Sequence, residues 1–134
     1  GGNVEQFFKR LHRGDDLLAE ISALAAKHNI KAGVILSGVG CVLRAKIRDA
    51  GGITVHEIDE PCEIVSIGGT VSAARCHIHI SLSKEDLSAI GGHLMEGTVI
   101  NTTCELVIGT VDNCVIASEF DAETGYVELV FEEE

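Results

Sequence analysis

Between Asp15 and His28 the apolar residues recur at three- and four-residue steps. Leu17, Leu18, Ile21, Leu24 and Ala25 line one face of an amphipathic helix. Asp15-Asp16 supply an N-cap and negative charge at its start, Lys27 and His28 suit the negative end of its dipole, and Asn29 suits a left-handed terminator. Before it, Val4 to Leu11 reads as a strand with Phe7 and Phe8 on opposite faces, broken by Gly14. From Lys31 the period changes to two. Ala32–Leu36 and Cys41–Asp49 read as strands separated by a glycine-bracketed turn or bulge, Ser37-Gly38-Val39-Gly40. In the second, Arg44, Lys46 and Arg48 share a face opposite Ala45 and Ile47, which suits a solvated or inter-subunit surface. Asp49-Ala50-Gly51-Gly52 is a hairpin signal leading into Ile53–Ile58. After the turn at Asp59-Glu60-Pro61 comes Cys62–Ile67, an interruption at Gly68-Gly69, and a long strand Thr70–Leu82. Ser83 to Ile90 suggests a short helical turn capped by Ser83, followed by Gly91-Gly92-His93-Leu94. Val99–Ile108 alternates Asn101, Thr103 and Glu105 against Cys104, Leu106 and Ile108, and Cys114–Phe120 and Tyr126–Phe131 complete the strands. The expected class is α+β, with one main helix packed on a large, mostly antiparallel β-sheet.

Composition refines this picture. A chain of 134 residues with 46% apolar content suits one domain, placed at residues 3–131. Gly1-Gly2 is set aside as a cleavage remnant, and 132–134 is an acidic tail. Aromatics are only 4% and tryptophan is absent, so the core is aliphatic. No basic segment precedes an apolar run as in a signal peptide, and no run has the length of a membrane span. The five cysteines are widely spaced, without a Cys-x-x-Cys, and suit reduced, mostly buried thiols in a cytoplasmic protein. All ten Lys and Arg fall in residues 1–84; residues 85–134 hold twelve acids and no base. With a net charge of −11, nucleic acid is disfavoured as a partner of this chain alone. The loop at Ser37–Gly40 lacks the spacing of a phosphate-binding loop.

The candidate chemistry lies at Arg75-Cys76-His77-Ile78-His79-Ile80 and at His93. Strand alternation puts His77 and His79 on one face with Arg75 and Ser81, and Cys76, Ile78, Ile80 and Leu82 on the core face. Cys76 and His77 therefore diverge and do not form a nucleophile–base pair. No Gly-x-Ser-x-Gly elbow occurs. His12, His28 and His56 have no comparable setting.

Several stretches in order carry a family resemblance. They are Leu11-His12-Arg13-Gly14-Asp15-Asp16-Leu17-Leu18 opening a helix; Ala32-Gly33-Val34 leading to Gly38-Val39-Gly40 and Leu43-Arg44-Ala45; and Cys62-Glu63-Ile64-Val65-Ser66-Ile67-Gly68-Gly69-Thr70, where Cys62 replaces an aromatic. His77-x-His79, Gly91-Gly92-His93-Leu94 and Thr103-Cys104-Glu105-Leu106-Val107-Ile108 complete them. Together they resemble the plants-and-prokaryotes conserved (PPC) domain in its stand-alone prokaryotic form. The resemblance implies a homotrimer and a metal site, zinc or another divalent transition metal, on His77, His79 and His93. Three imidazoles with an open position form the donor set of catalytic zinc, with Gly91-Gly92 as a flexible turn delivering His93. Glu105 becomes a candidate catalytic base or neighbour of the site, and Arg75 a candidate for holding an anionic ligand group. Two functions follow: a homotrimer that binds, or turns over, a small polar ligand at the metal; or a DNA-associated, transcription-related module. In plants the domain follows an AT-hook, and no Arg-Gly-Arg core occurs in this sequence. A purely structural metal at a subunit interface, or ordinary surface histidines, remain open readings of the same residues.

Overall fold

A computed structural model describes residues 4–134; Gly1-Gly2, set aside above, lies outside the described residues. The elements in chain order are β1 (Gln6–His12), α1 (Leu17–Lys27), β2 (Gly33–Arg48), β3 (Val55–Ile58), β4 (Cys62–Val71), β5 (Cys76–Ser83), β6 (Ala89–Leu94), β7 (Val99–Thr110), β8 (Cys114–Asp121) and β9 (Tyr126–Glu133). One helix on a large antiparallel sheet is the expected α+β class. The sheet runs β1-β7-β2-β4-β5-β6, with β3 also on β2. The far end of β2 pairs with β6, Ile47 opposite Leu94 and Arg48 opposite His93. The circuit β2-β4-β5-β6 therefore closes on itself. Closure removes free edges and fixes the strands around the site relative to one another. β8 and β9 pair only with each other among the described strands.

The helix forms where the periodicity places it. Leu17, Ile21, Leu24 and Ala25 are buried, and Asn29 takes the left-handed conformation (φ 47°). Asp16 caps it: Oδ1 accepts from Ala19 N at 3.0 Å, and Oδ2 accepts from Gly97 N at 2.7 Å, tying the helix start to the turn before β7. Asp16→Ala is expected to lower stability by about 1–2 kcal/mol, read as a lower urea midpoint at unchanged m-value, because cap and tether are lost together. The core is aliphatic. Leu11, Leu17, Ile21, Ile78, Leu82, Leu94, Ile100, Leu106 and Ile108 are among its fully buried side chains. On β1, Phe7 packs against this core and Phe8 on the opposite face is 81% exposed.

Several local expectations change. Ser37–Gly40 does not end a strand. β2 runs through it, and irregular pairing with β7 at Ile35/Ser37 and Gly40/Cys41 absorbs the extra residues, the bulge form of the two alternatives. Gly68-Gly69 does not interrupt β4 either. A Cβ on Gly69 would stand 2.3 Å from His77 O, so the glycine lets β4 approach β5 closely. The proposed long strand Thr70–Leu82 is two strands joined by a tight turn at residues 72–75. Buried Ser72 clamps this turn: its Oγ donates to Arg75 O at 2.9 Å and accepts from Arg75 N at 3.0 Å. The proposed helical turn after Ser83 is a hairpin connection. Lys84 N donates to Ser88 O, Leu87 N donates to Lys84 O with Leu87 at φ 69°, and Asp86 accepts from Ser88 N. Ser83 already pairs with Ala89 across the strands, which leaves no room for a helix. All five cysteines are free thiols; Cys62 and Cys104 are buried, while Cys41, Cys76 and Cys114 are half-buried. No described helix is long and apolar enough to cross a membrane.

Candidate metal centre

β5 alternates as its sequence requires. Ile78, Ile80 and Leu82 are buried, and His77 and His79 point to the other face. On β6, Gly91 lies opposite Ser81, Gly92 opposite Ile80, and His93 opposite His79. His93 thus arrives on a paired strand and not on a flexible turn, which corrects the role expected of Gly91-Gly92. The two glycines serve close approach. A Cβ on Gly91 would lie 2.1 Å from Ile80 O, and one on Gly92 2.8 Å from Arg48 O.

The three imidazoles form a compact triangle. Ring centroids are 5.1 Å apart for His77 and His79, 5.2 Å for His77 and His93, and 5.5 Å for His79 and His93. One potential donor atom from each ring lies within 4.8 Å of the others. Nitrogens on a tetrahedral zinc, at about 2.0–2.1 Å, stand roughly 3.3 Å apart. Small side-chain rotations bring the observed set to that spacing, so the donors fit a metal of this kind in number, type and placement.

The electrostatics keep His77 and His93 neutral. Burial first, then the charges of Arg48, His77, His79 and Arg75, pushes His93 down to about 4. His77 is lowered chiefly by burial and by His79. Neutral imidazole is the form that binds metal. In the unfolded chain these histidines titrate near the ordinary value of about 6.5, so below that pH the unfolded state binds more protons than the folded one. The stability contributed by the neutral rings is present above pH ~6.5 and lost as pH falls towards about 4. Metal-stripped protein is accordingly expected to show a falling thermal midpoint across that window, and metal retention should fall across it too.

Two cavities meet at the cluster. One, about 520 Å³, is walled by Ser66, Gly68, Thr70, His77, His79 and Ser81. The other, about 370 Å³, is walled by Arg48, Arg75, His77, His93, Tyr126 and Glu128, so the β8–β9 hairpin supplies part of its wall. Arg75 lies at the end of the β4–β5 turn, just before β5, and walls the same cavity as His77 and His93. Its Nη1 donates to Ser118 Oγ and Val127 O of the hairpin, both at 3.3 Å. Glu105 is not brought to the histidines. It sits exposed on β7 opposite Arg10, lines neither cavity, and is separated from β5 by β2 and β4. Arg48 enters the site unexpectedly, its Nη2 3.3 Å from His93 Nδ1. The alternation along β2 put Arg48 on the basic face correctly. Its register with His93, 45 residues away, has no local signal.

The sequence profile described as the Plants and Prokaryotes Conserved domain matches residues 1–112. The chain belongs to this family. The PPC match ends before β8, leaving the hairpin that walls the second cavity outside it. A curated relative, the Bifunctional protein GlmU of Synechococcus sp. (strain JA-2-3B'a(2-13)), is 32% identical over 128 residues, 96% of this chain. The chain spans only 20% of that protein's length. Among solved structures, a hypothetical protein from Salmonella cholerae-suis superposes with a TM-score of 0.94 at 26% identity, covering 99% of this chain and 96% of the other. The metal-containing protein AF0104 from Archaeoglobus fulgidus does so with 0.78 at 29% identity, covering 94% and 93%. A Bacteroides thetaiotaomicron protein with a provisional DNA-binding name gives 0.82 at 20% identity, covering 94% and 91%, which establishes fold alone.

Proposed function

We propose that this PPC-domain chain binds a divalent transition metal, zinc by preference, on His77, His79 and His93, and takes a small polar ligand in the adjoining cleft. The observation that carries the reading is the convergence of three imidazoles from two paired strands at the meeting point of two cavities. A relative of the same fold at 29% identity is named as metal-containing, which supports it. When bound, the metal supplies Lewis acidity and lowers the pKa of a coordinated water. The chain's own part is to hold His77 and His93 neutral and to wall the cleft with hydroxyls and guanidinium groups. Among the described residues Glu128 is the one carboxylate in the walls of the two cavities, and it is held by Thr124 Oγ1, so the function supported best is binding; Glu105 joins only if a second copy brings it there.

Assembly as a homotrimer fits the exposed apolar side chains, among them Phe8 on β1, Val39 on β2, Val65 on β4 and Phe120 and Phe131 on the hairpin. Such surface calls for a cover. The DNA reading has less behind it. Of the basic face on β2, Lys46 pairs with Glu57 at 3.4 Å and Arg48 turns to His93, leaving Arg44 exposed. Elemental analysis of untagged protein tests the proposal, with one metal per chain of a particle three times 14.2 kDa as the expected result. Trace metal at any loading would overturn the site.

A further inference from the structure

Among the described residues four cations are half-buried: Lys46, Arg48, Arg75 and Lys84. Lys46 has Glu57 at 3.4 Å and Lys84 has Glu60 at 3.8 Å. Among the described residues, Arg48 and Arg75 have no carboxylate within 4.0 Å. Both wall the same cavity. Arg75 donates to two uncharged oxygens of the hairpin. Arg48 has Nη2 on a neutral ring nitrogen, and its Nε is buried with no hydrogen-bond partner. A guanidinium withdrawn from water without a counter-charge is costly, and its planar fork matches a carboxylate or phosphate.

The contact with His93 adds a second argument. Guanidinium only donates, so His93 Nδ1 accepts and the ring hydrogen sits on Nε2. A metal on either nitrogen of His93 takes this acceptor away, since a neutral ring with one nitrogen on metal carries its hydrogen on the other. Arg48 then faces a donor or a cation. An acceptor placed between them relieves this. The one carboxylate in the wall, Glu128, accepts from Thr124 Oγ1 at 3.3 Å and acts on His77 through its charge, but forms an ion pair with neither arginine.

We infer that the cavity between β2, β5, β6 and the β8–β9 hairpin is an oxyanion site, in which Arg48 and Arg75 hold the carboxylate or phosphate group of a small anionic ligand beside the three histidines. This deepens the proposed function by naming the ligand's charged group; the argument from His93 and the ligand's place beside the metal rest on that function, and the two guanidinium groups without a carboxylate do not.

The test titrates inorganic phosphate and, separately, acetate into the chelator-stripped protein, following the arginine Nε–H resonances. The expected result is a saturable shift of Arg48 with at least one anion. Phosphate alone would name a phosphoryl ligand, acetate alone a carboxylate. Arg48→Gln should weaken binding roughly 10-fold or more, while Arg44→Gln on the same strand face leaves it unchanged. Arg48→Lys, which keeps the charge but not the fork, should fall between, and decides the matter if the glutamine variant does not fold. No saturable shift with either anion, or equal binding by wild type and both Arg48 variants, would overturn the inference. Zinc retention measured on the same samples separates the two readings. Phosphate binding without zinc retention leaves this one standing alone, and zinc retention without anion binding leaves only the metal.

Discussion

His77→Ala protein is expected to come out of metal-free dialysis with trace zinc, where wild type retains one equivalent per chain. Removing one of three imidazoles deletes a bond to the ion itself. Loss of an outer partner alone costs ~10–100-fold in metal affinity, so loss of a ligand should exceed ~100-fold. His79→Ala and His93→Ala should behave alike, because each ring closes the same triangle at centroid distances of 5.1–5.5 Å. The loss should occur without collapse of the fold. Alternation along β5 puts Cys76, Ile78 and Ile80 on the core side and leaves His77 on the other, so truncation opens no core cavity. His56→Ala is the matched control, since His56 is exposed and paired with Asp49 at 2.7 Å, away from the cluster. Added zinc should raise the thermal midpoint of wild type by mass action and leave His77→Ala unmoved. Equal zinc in wild type and His77→Ala would remove the site.

Much of this arrangement was legible along the chain because its cause is local. Period-two alternation separates His77 and His79 from Ile78 and Ile80 whatever the rest of the fold does, and the helix follows from three- and four-residue steps with an aspartate cap. What escaped reading depends on residues distant in sequence. Gly68-Gly69 and Gly91-Gly92 look like breaks, since glycine ordinarily punctuates. Here Gly69, Gly91 and Gly92 are the price of bringing strands close at the site, visible only once β4, β5 and β6 are paired. The true break at residues 72–75 carries no glycine or proline; a buried serine hydroxyl makes the turn. Arg48 reads as a surface cation until β2 meets β6. Glu105 was tied to the site by its place in a family pattern, and one chain does not bring it there.

The glycines also yield a prediction about the site that touches no ligand. Gly91→Ala would set a Cβ 2.1 Å from Ile80 O and 2.9 Å from Ser81 Cα. Both atoms belong to the backbone of β5, which cannot rotate aside as a side chain can. β6 must therefore move away from β5, and His93, two residues on, moves with it from His79. Overpacking of this kind costs about 1–3 kcal/mol, occasionally more. Metal constellations tolerate displacements of only ~0.5 Å. The expected result is a lower thermal midpoint together with weaker zinc retention, although His77, His79 and His93 are all present. Gly68→Ala separates this from a general effect of losing glycine. Gly68 lies on β4 opposite His79, its φ is not positive, and a Cβ there meets nothing within 4 Å. That variant should match wild type or gain up to about 1 kcal/mol through the unfolded state, with zinc retention intact. Indistinguishable melting and zinc retention for the two alanine variants would show that β5–β6 spacing does not set the geometry of the cluster.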